Sequence, residues 1–140
     1  MADPQIPSIA TMSVAASALR AQQSRMRIIA ENMANADSVS QTAGGDPYRR
    51  QVPVFSPTVL SDGTKGVAMS RVVQDQTPFK TEYRPGHPSA DAKGYVKLPN
   101  VDPLVEAMDM GAAQRAYAAN LSVIETAREM QSRTLDLLNK

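Results

Sequence analysis

Proline and glycine divide this chain more sharply than any other feature. Residues 8–35 contain neither, and residues 104–139 contain no proline and a single glycine, Gly111. Residues 36–101 hold six of the seven glycines and seven of the ten prolines. These are the two residue types least compatible with a helix interior. The chain therefore reads as long helix, short-stranded middle, long helix. The fold class this predicts is mainly α with a small β middle: long N- and C-terminal helices packed as a coiled coil, with short β-strands and loops between them. The expected division is a terminal helical domain, 1–35 with 102–140, and a small β or irregular middle region, 36–101.

Both helices carry seams. In the first, Met12, Leu19, Met26 and Met33 are spaced seven apart, and Ala15, Gln22, Ile29 and Ala36 repeat at an offset of three. That is the a/d pattern of helices packed along their length. Ser8 is a candidate N-cap. The last helix has a sharper start: Asp102 can cap, Pro103 fits the first helical position, and Glu106 suits the positive end of the helix dipole. Its main stripe runs Met110, Gln114, Tyr117, Leu121, Ile124, Arg128, Gln131, Leu135, Leu138. A second stripe, from Val105 and Met108 through Val123 and Met130 to Leu137, lies roughly 100° around the helix. Two stripes on one helix call for more than one packing partner. The first helix covers one; the second needs the middle region or another subunit. Asn32, Asn35 and Asn120 are polar residues on these apolar helices. They are candidates to fix register between helices through amide bonds, the alternative being solvent exposure or local capping.

The middle offers short strands at 49–55, 66–73, 77–83 and 94–98. Pro53 demotes the first to an edge, and the Pro85-Gly86-His87-Pro88 cluster marks a turn.

Composition removes most chemistry. There are no cysteines and one histidine, so thiol nucleophiles, thiolate metal sites and a multi-histidine metal site are excluded. His87 reads as a turn residue. Fifteen Lys plus Arg against 14 Asp plus Glu give a net charge of +1, which speaks against a nucleic-acid binder. Gly44 and Gly45 lack the Lys and Ser/Thr of a phosphate loop. The N-terminus lacks the basic and continuous apolar regions of a secretory signal. No cofactor, metal or small-molecule substrate is expected, and no enzyme. Two readings remain: an assembly subunit that buries its seams in a polymer, and a soluble coiled-coil binding module or adaptor.

Longer motifs favour the first. SALRAQQSRMRIIAENMANADS at 17–38, GGDPYRRQ at 44–51, HPSADAKGYVKLPNVDPLVEAMDM at 87–110 and RAYAANLSVIETAREMQSRTLDLL at 115–138 resemble flagellar basal-body rod proteins of the proximal-rod type. Leu19, Arg25, Asn32 and Asn35 match the N-terminal helix motif. The likeness covers nearly the whole chain and is weakest at 54–80. Gly111 and Ala118 are small where the family often carries charge. The resemblance implies a structural subunit of the bacterial flagellum. Such a subunit is exported unfolded through the type III export apparatus without a cleaved signal, and polymerises helically into a periplasm-crossing rod. The terminal helices would form the axial core. Its partners would be other copies, other rod proteins, the adaptor joining rod to membrane ring, and the export apparatus. The assembly interface expected on this reading comprises Met12, Leu19, Arg25, Met26, Ile29, Asn32, Met33, Asn35, Tyr117, Asn120, Leu121, Ile124, Leu135 and Leu138.

Overall fold

The computed structural model describes residues 7–138. The elements are α1 (Pro7–Ala34), β1 (Gln51–Val59), β2 (Lys65–Gln74), β3 (Lys80–Tyr83), β4 (Tyr95–Leu98) and α2 (Pro103–Leu138). The class is mainly α with a small β middle, as the distribution of Gly and Pro predicts. α1 has 28 residues and α2 has 36. No helix among the described residues is long and apolar enough to cross a membrane.

The two helix starts differ from each other. Asp102 caps α2: its Oδ1 accepts the Leu104 N–H at 3.0 Å and the Val105 N–H at 3.4 Å. Two of the otherwise unpaired first-turn amides are thereby satisfied. Ser8 is not a cap, because α1 is already under way at Pro7 and Ser8 stands inside its first turn.

The strands form two separate two-stranded sheets, β1 with β2 and β3 with β4. The β1–β2 turn is closed by the Leu60 N–H donating to the Thr64 carbonyl at 2.8 Å. Asp62 Oδ1 steadies it by accepting both the N–H and the hydroxyl of Thr64. β1 runs on through Pro53 and Pro57, past the expected end at 55. The two prolines are four apart, so their missing N–H groups face the same edge of a strand. β3 and β4 are antiparallel, pairing Lys80 with Leu98 and Tyr83 with Tyr95. The two tyrosine rings meet edge to face at 5.3 Å. Gly94 precedes the pair with φ near +86°, and a Cβ there would stand 2.9 Å from the Tyr83 ring. Only glycine suits both the backbone and the space.

Packing divides the chain into two compact units. One takes in Met1–Arg25, Val54–Arg71 and Ala112–Lys140; the other takes in Met26–Pro53 and Val72–Gly111. In the first, the buried residues on the helices are small: Ala15, Ser17, Ala21, Ala113 and Ala127. The Ser17 hydroxyl donates to the Val14 carbonyl at 2.7 Å and accepts the Val67 N–H at 3.2 Å. The β2 main chain reaches α1 there because Gly66 has no side chain; a Cβ would lie 2.6 Å from Ser17 Oγ. In the second unit the buried residues include Ile28, Ile29, Val96 and Val101, together with three polar residues, Asn32, Ser89 and Glu106.

Candidate functional site

The second unit is organised around a buried polar cluster. Asn32 sits two residues before the end of α1 and is 1% exposed. Its Oδ1 accepts the Gln51 N–H at 2.8 Å and the Tyr48 hydroxyl at 2.9 Å. Its Nδ2 donates to the Gln51 carbonyl at 2.9 Å and to Glu106 Oε2 at 3.1 Å. A side-chain amide has two donors and two acceptor positions, and all four are engaged. By gripping both the N–H and the carbonyl of Gln51, Asn32 does for the start of β1 what a neighbouring strand would do.

Glu106, in the first turn of α2, has no exposed surface. Its Oε1 receives Arg50 Nε at 2.6 Å. Arg50 also lies 3.4 Å from Asp75 Oδ2 and 3.7 Å from Asp109 Oδ2. Burial works against the Arg50 charge, but Glu106 and then Asp75 outweigh it and hold the guanidinium pKa above its ordinary value. Burial is the leading cause that raises the Tyr48 pKa, followed by the Glu31 and Glu106 charges; the phenol keeps the proton it donates to Asn32. Asp75 is pushed down, first by the Thr77 N–H, then by the Thr77 hydroxyl and Arg50. Around these groups Asn100 Oδ1 accepts the Arg50 N–H at 2.8 Å, and Asn100 Nδ2 donates to the carbonyls of Asp75 and Thr77. Arg49 lies over the Phe79 ring at 4.1 Å.

The cluster fastens; it does not offer a reactive group. A carboxylate without exposed surface, both of whose oxygens are taken, has no position from which to meet a substrate. His87 lies in the 85–89 turn, and its Nδ1 accepts the Ser89 N–H at 3.1 Å.

Outside the cluster, each unit shows an apolar surface of its own. In the second unit Leu104 and Met108 are 71% and 67% exposed, with Val105 beside them. In the first unit Leu121, Val123, Met130, Leu135, Leu137 and Leu138 are exposed. Between Arg128 and Leu138 every residue is exposed except Gln131, which is half-buried. An open, largely apolar groove of about 350 Å³ runs between Ser8 and Thr11 of α1 and Val123, Thr126, Ala127 and Met130 of α2.

The expected interface residues distribute as follows. Ile29 and Asn32 are buried within the chain, while Met12, Leu19, Arg25, Met26, Asn35, Tyr117, Asn120 and Ile124 are half-buried. Met33, Leu121, Leu135 and Leu138 are exposed. Of the three asparagines, Asn32 alone bonds to another element through its amide. Asn35, just past the end of α1, donates to the Glu31 carbonyl, and Asn120 donates to the Ala116 carbonyl of its own helix. The main α2 stripe also splits: Met110, Tyr117, Ile124 and Gln131 are half-buried, whereas Gln114, Leu121, Arg128 and Leu135 are exposed.

Sequence reasoning missed Glu106, Arg50, Tyr48 and Gln51. Glu106 reads as a complement to the helix dipole, and Arg50 stands only within the GGDPYRRQ motif. The available signal was Asn32, a polar residue beside the buried Ile28 and Ile29.

Comparison with known proteins fits this architecture. The model of the flagella basal body rod protein family matches residues 12–40, and that of the flagellar basal body rod FlgEFG protein C-terminal region matches residues 92–137. The flagellar basal-body rod protein FlgC of Agrobacterium fabrum is 43% identical over 133 residues, covering 94% of this chain and 96% of the relative. FlgC of Escherichia coli O6:H1 is 45% identical, covering 89% and 92%. FlgC of Borreliella burgdorferi is 39% identical, covering 91% and 95%. With likeness at this level along nearly its whole length, and the rod models lying on its two long helices, the chain belongs to the FlgC family of flagellar basal-body rod proteins.

Proposed function

We propose that the chain is a structural subunit of the proximal rod of the flagellar basal body, polymerising helically through its terminal helices. The observation that carries this reading is the C-terminal end of α2, where Leu135, Leu137 and Leu138 stand in the open on a helix without inward packing after Ala127 other than Gln131. Each such side chain contributes roughly 1.5–3 kcal/mol when buried. A helix that leaves a row of them exposed is built for burial against another chain. Residues 1–35 and 102–140 then form the axial domain, and 36–101 face outward. Met12, Leu19, Arg25, Met26, Ile29, Asn32, Met33, Asn35, Tyr117, Asn120, Leu121, Ile124, Leu135 and Leu138 belong to the helices that assemble.

On this reading the subunit catalyses no reaction and takes no cofactor. It leaves the cell interior unfolded through the flagellar export apparatus, without a cleaved signal. In the periplasm it joins copies of itself, other rod proteins and the adaptor to the membrane ring, and transmits torque. The test is complementation of a strain lacking the chain with a Leu121→Asp variant. A carboxylate placed in an apolar contact is strongly disfavoured. The variant is exported in normal amount, yet isolated basal bodies lack rods and hooks. Hooks in normal number would remove Leu121 from the interface.

A further inference from the structure

The first turns of α2 are oriented against the hydrophobic effect. Leu104, Val105 and Met108 occupy one side and face solvent, while Glu106 is wholly buried and Asp109 is within reach of Arg50. Apolar burial alone turns a helix with its apolar side inward and its carboxylates outward. Something stronger sets the rotation here. Glu106 bonds to Arg50 through one oxygen and to Asn32 through the other. Arg50 reaches Asp109 one turn further along the same side. Asn32 is itself immobilised by Tyr48 and both main-chain groups of Gln51. Asp102 caps the turn without selecting a rotation, because its bonds go to main-chain amides.

We propose that Asn32, Arg50 and Glu106 form a rotational lock, which holds the first turns of α2 with their charged side inward and keeps the Leu104–Val105–Met108 surface outside. These are positioning residues: they act through the helix they orient. That the displayed surface serves another subunit rests on the rod reading; the lock itself does not.

Two methionines report the rotation directly. Met108 and Met110 are two residues apart, so they point roughly 200° away from each other around the helix; Met108 is exposed and Met110 half-buried. The chain has no cysteine, so peroxide acts on methionine thioethers without competition from thiols. The full-length chain is treated with dilute hydrogen peroxide, and sulfoxide formation at each position is followed by peptide mass spectrometry. In the native protein Met108 oxidises several-fold faster than Met110. In Glu106→Leu combined with Arg50→Met, the two rates converge or exchange order, and Glu106→Gln shifts them the same way by less. Amide exchange along β4, where Val96 is buried and paired with β3, is measured on the same samples. Unchanged relative rates in either variant with those amides still protected overturn the lock. So do equal rates in the native protein. Loss of protection along β4 in both variants also overturns it, since a device that sets only rotation leaves the β3–β4 pairing standing. The assay reads the isolated subunit, so its failure is distinct from failure of the rod reading, which is judged by rods and hooks.

Discussion

The two ends of α2 solve opposite problems with similar residues. At its start, Leu104, Val105 and Met108 face out while Glu106 is fastened inside by Arg50 and Asn32. At its end, Leu135, Leu137 and Leu138 face out and nothing polar is fastened inside. The start is held by directional, charge-assisted bonds whose geometry admits one orientation. The end carries exposed apolar surface, which attracts without direction. Polar burial fixes the first end, whereas apolar exposure marks the second.

The largest expected effect breaks the comparison at the assembling end. Leu135→Asp with Leu138→Asp abolishes rods and hooks in a complemented strain. The denaturation free energy of the isolated subunit changes by about 0.5 kcal/mol or less, the usual scale for exposed positions. A motile strain, or a large loss of subunit stability, would show that this end packs within its own chain.

The next effect strikes the fastened end. Glu106→Ala leaves Arg50 without its main partner and Asn32 with an unmatched donor. Breaking a buried ion pair by removing one member costs about 3–5 kcal/mol, read as a fall in the urea midpoint followed by helix circular dichroism. A change under about 1 kcal/mol would mean that the pair behaves as a solvated surface bridge.

The smallest effect sharpens the comparison through pH. Asp75 is held below its ordinary value by the Thr77 N–H and hydroxyl and by Arg50. Its folded pKa is therefore lower than its unfolded pKa, near about 3.9. The stabilisation is complete above the unfolded value and disappears as pH falls through the folded one. Native protein loses stability on acidification below about pH 4, and Asp75→Asn flattens that slope. Equal slopes in a urea series across acidic pH would remove Asp75 from the acid response.

What could be read without the structure was local. A helix period, a cap and a helix-breaking residue act within a few positions, so the start of α2, its Asp102 cap and the turn at His87 were all legible. The run of β1 through two prolines was less so, because it depends on which edge of the strand has a partner. The seams were legible as stripes, but not which members turn inward: of the main α2 stripe, only every second residue is half-buried. Burial depends on what stands opposite, and no periodicity states that. The polar cluster is the clearest case. Glu106 meets a partner 56 positions away and another 74 positions away. From its neighbours alone it is an acid that complements the dipole at a helix start. Its burial belongs to the tertiary structure, because a carboxylate is buried only where donors are already positioned to receive it. The sequence by itself determined where the helices lie and that they carry more apolar surface than one pairing can cover. Only the fold decided which face each shows, since that choice belongs to hydrogen bonds between residues that the chain keeps far apart.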